Sequence, residues 1–448
     1  MLAIVWRSLG ASILFSLFCQ SLDLWAAGIS IREQSIRSGG MANAGDGVST
    51  GDAASFFSNP ASIGSLPGHS FSLGINIVSA GVEWKDGTSS SPITGLPPYE
   101  SNASASSENS GGVIPSIFGS HAIGDFRIGW GFSVPAGAVN NYKKDWFGRY
   151  YAYETEVSVR SFDLAGAYNI NKMITVALGI QYQTGSILLS AAGDLGLLGA
   201  QTAGTAMGQH DTIGEFSGDS TGFGGLMGVT VDLKSISIGL SVKGGVRHTA
   251  KGKQNYRDQT PEAAQVRVGA IAGGQASLAE SDDAEAEIVA PQTTILGMRF
   301  EASPKMRAYA SINHTKWSSN GQLVIKYNNT ERVTALHYKN SLSLSVGGEF
   351  DLNKSITLRG GLGIDPSVTE DKYIAARNPD GDRVIIAFGG GYNAGKFSVD
   401  AGCSYYSIED SKVEQSPTTH PSNASRGYFS ATGSQSRTLF LLGGSMTI

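Results

Sequence analysis

Asn171-Lys172-Met173-Ile174-Thr175-Val176-Ala177-Leu178-Gly179-Ile180-Gln181-Tyr182 is the stretch whose reading decides the fold of this chain. After a polar turn at Asn171-Lys172, Ile174, Val176, Leu178, Ile180 and Tyr182 alternate with Thr175, Ala177, Gly179 and Gln181. A period of two puts one set on each face of a sheet. The pattern recurs elsewhere. Ile236, Ile238, Leu240 and Val242 alternate with Ser237, Gly239, Ser241 and Lys243, and Ile356, Leu358, Leu362 and Ile364 oppose Thr357, Arg359, Gly361 and Gly363. Phe397, Val399, Ala401, Cys403 and Tyr405 oppose Ser398, Asp400, Gly402, Ser404 and Tyr406. In a soluble sandwich the apolar set points inward; in an outer-membrane barrel it meets lipid and the polar set lines the lumen.

The connections choose between the two. Short polar turns stand at Ile123-Gly124-Asp125, Asn171-Lys172, Lys234-Ser235, Ser303-Pro304-Lys305, Asn353-Lys354 and Ala394-Gly395. Long links lie between those hairpins, over 85–112, 140–155, 191–221, 249–285, 365–381 and 408–436. Short turns at one end and long loops at the other is the asymmetry of an outer-membrane barrel. The expectation is therefore an all-β protein, a transmembrane antiparallel β-barrel of about 14 strands. Closure leaves no sheet edge and satisfies every backbone group in lipid. Two links carry more than turn residues. Leu195, Leu197 and Leu198 with Ala200, Ala203 and Ala206 suit a short apolar helix, and the Ala-rich, acidic stretch 261–285 suits another. Apolar side chains on an outer loop either pack locally or form a landing groove for a greasy ligand.

Composition agrees with a barrel. The 448 residues include 59 glycines, 14 prolines and 16% charged residues, against about 25% charged in an average soluble chain. A net charge of −5 and the absence of a basic cluster argue against a nucleic-acid partner. Residues 1–26 read as a signal peptide, with Arg7 in the n-region and Leu9 to Phe18 as an apolar stretch too short to span a bilayer. Cys19 leaves with it, so Cys403 has no partner for a disulfide. The seven histidines have no metal-ligand spacing, and neither a nucleophile elbow nor a P-loop appears. No enzyme and no cofactor is expected.

The segment behind the signal is not a strand. It runs from Ala27-Gly28-Ile29 through Gly39-Gly40-Met41-Ala42-Asn43-Ala44-Gly45 and Asp52-Ala53-Ala54 to Ser58-Asn59-Pro60-Ala61. Asn-Pro-Ala alone is a turn signal. In this position it strongly resembles the N-terminal hatch of the FadL family of long-chain fatty-acid and hydrocarbon transporters. The resemblance continues through Val113-Ile114-Pro115, Gly129-Trp130-Gly131, Gly193-Asp194-Leu195, Thr315-Lys316-Trp317-Ser318, Asp365-Pro366, Pro379-Asp380-Gly381-Asp382-Arg383 and Val399-Asp400-Ala401-Gly402, in order. It implies three parts: a signal peptide at 1–26, a hatch plugging the lumen at 27–68, and a barrel at 69–448.

The resemblance also implies passive uptake of hydrophobic compounds. The ligand docks in an outer-loop groove, for which Leu195, Leu197 and Leu198 are the candidates. It then moves to a pocket beside the hatch start and leaves sideways through a kinked third strand. Phe132-Ser133-Val134-Pro135-Ala136-Gly137 occupies that strand, so Pro135, Ala136 and Gly137 are the candidate gate. Pro135 cannot donate to the ladder, and proline in sheets is confined to edges and bulges. Asn59, Pro60 and Ala61 are expected to anchor the hatch. Where the family lines its pocket with an aromatic residue, an Arg and a Lys, this chain aligns Ile29, Ser190 and Thr334. With those cations missing, neutral or weakly polar hydrophobes are expected to be accepted at least as well as fatty acids. Arg332, two residues from Thr334, could restore one cation. The implied partners are a hydrophobic ligand, outer-membrane lipid and the barrel-assembly machinery, for a monomer in the outer membrane. A general diffusion porin or a loop-borne adhesin is the alternative, and about 40 residues given to a plug argue against an open pore.

Overall fold

The computed structural model describes residues 29–90, 103–108, 111–196, 208, 210–416 and 428–448. Fourteen antiparallel strands close a barrel. They are β1 (Ser70–Ser90), β2 (Gly111–Ile123), β3 (Phe126–Asn141), β4 (Glu154–Asn169), β5 (Ile174–Asp194), β6 (Asp211–Asp232) and β7 (Ile236–Lys243). The ring continues through β8 (Thr293–Ser303), β9 (Met306–Thr315), β10 (Ser341–Asp351), β11 (Ile356–Asp365), β12 (Arg383–Asn393), β13 (Phe397–Ile408) and β14 (Tyr428–Thr447). Each strand pairs with the next, and β14 returns to β1 from Ser70↔Thr447 to Ser90↔Tyr428. His69 and Ile448 exchange two backbone hydrogen bonds, of 2.9 and 2.8 Å, at the foot of that seam.

The two faces follow the period read from the sequence. Leu178 is 71% exposed and Val399 56%, while the inward Asp400 is 3% exposed and Ser404 1%. Apolar outside and polar within inverts the soluble arrangement and matches a wall surrounded by lipid. The short turns fall where expected, with Asn353 Oδ1 accepting from Ser355 N and Ile356 N, and Asn171 Oδ1 from Met173 N and Ile174 N.

The links are shorter than the sequence suggested. Strands β5 and β6 run on to Asp194 and from Asp211, inside the expected 191–221 loop. Val246–Asp258 continues β7 along β6, and Ser281–Ala290 leads into β8, inside the expected 249–285 loop. Beyond the bilayer both faces of a strand meet polar surroundings, so these stretches lack the apolar periodicity that betrays a membrane strand. The helix expected within 261–285 is present at Pro261–Ala272, capped by Thr260, whose side chain accepts from Ala263 N. A hairpin, Gln322–Tyr327 with Thr330–Ala335, rises between β9 and β10.

Candidate functional site: a cavity beside a break in the wall

Residues between Ile31 and Leu66 are almost wholly buried and pack on the inward faces of the strands. The wall yields to them with glycine. At Gly361 of β11 a Cβ would run into the Met41 backbone, and at Gly239 of β7 into Gly47 O. Asn59 is fully buried, its Nδ2 donating to Gly47 O at 2.8 Å and to Val229 O of β6 at 3.3 Å. Its Oδ1 accepts from Ala61 N and caps a 3₁₀ turn begun by Pro60. Through Asn59 Nδ2, the turn that Pro60 begins is hydrogen-bonded to β6. Ion pairs hold the other side, where Arg37 meets Asp400 at 3.1 Å and Arg359 joins Glu349 at 2.6 Å and Asp400 at 2.7 Å.

Among the described residues, the wall breaks at one place beside this segment. The β2–β3 ladder runs only from Ile123↔Phe126 to Ile117↔Phe132. Beyond it, Gly111 to Ser116 of β2 pair with β1 alone, while β3 turns away. The cause is a bulge. On β3 the register passes from Ser133↔Ser161 to Ala136↔Val159, so Val134 and Pro135 oppose a single residue of β4. The inner segment takes over the edge left bare. Ile31 N donates to Pro135 O at 2.8 Å, Gly137 N donates to Ile29 O at 3.0 Å, and Ser30 bridges Ala136. Gln34, wholly buried, donates through Nε2 to Val134 O (2.9 Å) and accepts from Val134 N at Oε1 (3.3 Å). On the far side, Ser116 Oγ of β2 donates to Gln34 O at 2.9 Å. Gln34 therefore spans the break, its amide standing in for a strand neighbour.

Against that place lies a cavity of about 260 Å³. Ala136, Ala138, Val157, Val159, Ile187 and Leu189 give it an apolar side on β3, β4 and β5. Lys243 also lines it, but is paired with Asp163 at 2.9 Å and lies over the Phe57 ring at 4.5 Å. Arg377 donates to Glu154 O and Thr155 Oγ1. Tyr338 closes the outer end, and burial pushes its hydroxyl up to about 12, so it stays a neutral phenol. Adjoining it through Tyr151 and Ala376 is an aromatic cluster in which Tyr142 stacks on Trp146 at 4.1 Å.

The structure brings together Ile29, Thr334, Pro135 and Ala136 at this cavity, and Gly137 stands at the same edge. It does not bring Ser190 or Arg332. Ser190 is one step out of register: Leu189 faces the cavity, whereas Ser190 Oγ meets Glu154, and a one-residue step reverses the face of a strand. Arg332 shares a face with Thr334 but lies two residues along the hairpin, exposed and paired across from Ile325. Leu195 is 1% exposed, and Leu197 and Leu198 lie outside the described residues. Sequence reasoning missed Gln34, Arg32, Asn313 and Lys243. Their signal was faint, because inward polar residues at alternate positions look like ordinary lumen lining.

The profile of the family described as outer membrane protein transport protein (OMPP1/FadL/TodX) matches residues 17–442. The chain belongs to this family. Among its relatives is the long-chain fatty acid transport protein of Salmonella typhi, 25% identical over 413 residues, covering 89% of this chain and 91% of that one. Outer membrane protein P1 of Haemophilus influenzae is 23% identical, with 85% and 86% covered. A Pseudomonas aeruginosa FadL homologue superposes with a TM-score of 0.84 at 22% identity, covering 94% of this chain and 100% of that one. The P. putida toluene transporter TodX superposes at 0.65 with 17% identity, covering 95% and 99%. As an OMPP1/FadL/TodX member the protein is an outer-membrane transporter and not an enzyme.

Proposed function

We propose that this transporter takes up hydrophobic compounds, long-chain fatty acids or hydrocarbons, passively through the lumen cavity and out sideways between β2 and β3. Residues 27–68 act as a plug that closes the straight path and leaves the wall as the exit. The observation that carries the reading is the end of the β2–β3 ladder at Ile117↔Phe132, directly beside an apolar cavity. A solute leaving there enters lipid at once. It avoids hydration in the periplasm, which would cost about 0.8 kcal/mol for every CH₂. The relatives named for long-chain fatty acids and for toluene support a greasy cargo. A general porin fits less well, since buried residues between Ile31 and Leu66 occupy the space a diffusion pore needs. The protein works as a monomer, inserted by the barrel-assembly machinery.

The test removes the bulge. Deleting Val134 and replacing Pro135 by Val restores a straight β3 with a full set of donors. Uptake of labelled oleate and toluene by cells lacking other transporters should fall tenfold or more. Wild-type uptake by a correctly inserted variant would end the lateral route.

A further inference from the structure

Both lips of the break carry a proline: Pro135 on β3 and Pro115 on β2. The nitrogen of Pro115 faces the gap. His69 and Ile448 exchange both backbone bonds, so in this stretch odd-numbered residues of β1 bond to β14 and even-numbered ones to β2. The register Ile75↔Pro115 then turns the odd-numbered residues of β2 toward β3. The two-residue turn Gly124-Asp125, which closes the hairpin on Ile123↔Phe126, gives the same parity from the other end. Ile117 faces Phe132 in the last pair of the ladder, and Pro115 brings to the next bonding slot a carbonyl but no N–H. Continuing that register two steps sets Pro115 opposite Val134. Val134 has other partners there: its O accepts from Gln34 Nε2 and its N donates to Gln34 Oε1. Gln34 thus supplies the donor and the acceptor that any residue but proline would present at position 115. Its own backbone O is held by Ser116 Oγ, next to that proline.

We infer that Pro115 is a positioning residue: it stops the β2–β3 ladder from zipping past Ile117↔Phe132 and so leaves Val134 to Gln34. The inference rests on the transport reading above. With proline at 115, β2 can offer Val134 one bond against the two that Gln34 makes. An N–H at 115 makes the contest two against two. The strand then wins, because pairing with β1 has already fixed its backbone, whereas Gln34 must hold a long side chain in one rotamer. The bulge at Val134-Pro135 turns β3 away, and Pro115 removes the second bond that would draw it back. A bare strand edge is a template for pairing, and proline is one way to blunt it. The wall gives up little for this. Ile114 and Ser116 are the residues turned to β1, and the Pro115 side chain is exposed on the outer face. A chain without Pro115 therefore keeps its barrel and loses its exit.

The experiment uses Pro115→Val in the full mature chain, compared with wild type by NMR in detergent micelles. Wild type should show no cross-strand Hα–Hα contact between Ser116 and Ser133, since its ladder ends one pair earlier. Pro115→Val should show that contact, together with an amide–amide contact between positions 115 and 134. The Gln34 side-chain amide, released from Val134, should exchange at least tenfold faster. Oleate uptake by cells carrying the variant should fall at least threefold, with no loss of melting temperature. Pro115→Ala supplies the same N–H with less bulk, and it carries the test if Pro115→Val fails to insert. Both variants lacking the new contacts, with Gln34 as protected as in wild type, would overturn the role of Pro115 and leave the lateral route standing. A ladder that zips while uptake stays at the wild-type level would keep the role of Pro115 and end the lateral route.

Discussion

Two junctions of the same wall behave in opposite ways. Between β5 and β6 the ladder runs unbroken from Ile174↔Val231 to Asp194↔Asp211. Between β2 and β3 it stops after seven pairs. Both junctions face the same lumen and carry glycines, so glycine content does not separate them. The difference is one inserted residue beside a proline. At Val134-Pro135 the chain gains a bulge and loses a donor together, and β3 leaves β2. The bare edge is then satisfied by Ile29, Ile31 and Gln34 rather than by a strand. A strand neighbour is fixed by a whole ladder, while this substitute is held by a handful of bonds. On the proposed route the first junction stays closed and the second is the one that opens.

The largest effect in this comparison is expected at Gln34. Gln34→Leu removes the amide that satisfies Val134 N and O, each unmatched group costing about 1–3 kcal/mol. Hydrogen exchange at residues 29–34 and at Val134 should quicken at least tenfold, with the β5–β6 amides unchanged. Equal protection in variant and wild type would remove Gln34 from the account. A smaller effect is expected at Asn59, whose bonds reach β6 at the intact side. Asn59→Ala loses a helix cap and leaves Gly47 O unpaired, about 2–3 kcal/mol in sum. The inner segment should loosen, and single-channel conductance in planar bilayers should rise. Conductance and uptake both at wild-type levels would show that the turn anchors nothing.

The smallest effect lies away from both junctions. On the outer link, Lys339 and Lys372 hold the Glu370 carboxylate down to about 2. A depressed carboxylate stabilises above its ordinary range, and that contribution fades as the pH falls toward 2. Glu370 is partly exposed, so solvent screens most of the interaction. Glu370→Gln should lower the melting temperature by about 1 °C or less at pH 6, and the gap should narrow as the pH falls below the ordinary carboxylate range and close only as it passes about 2. A gap that widens on acidification would contradict the assignment.

The wall was legible in the sequence because lipid imposes a strict rule. Leu358 and Val399 had to face outward, and the turns at Asn171 and Asn353 had to be short. The kink was legible for a similar reason, since Pro135 has few tolerable places in a sheet. The cavity was not. Ser190 has the parity of the outward Ile180 and Tyr182, and only the observed unbroken ladder shows that this alternation holds as far as Leu189, which faces inward. Arg332 shares parity with Thr334, yet height along the hairpin, which parity does not encode, puts it beyond the cavity. Outer links were overestimated because strand continues above the membrane without an apolar face.

The central claim is that cargo leaves through the gap between β2 and β3, and a reversible staple tests it most directly. Continuing the register one step past Ile117↔Phe132 sets Ser116 opposite Ser133, both buried at the mouth of the gap, where a bridge would draw β3 back toward β2. In a Cys403→Ser background, Ser116→Cys with Ser133→Cys would close the gap when oxidised and free it when reduced. Oleate uptake into proteoliposomes should drop tenfold or more on oxidation and recover on reduction, with single-cysteine controls unaffected. Equal uptake in both states, with the disulfide confirmed by mass spectrometry, would contradict the lateral route.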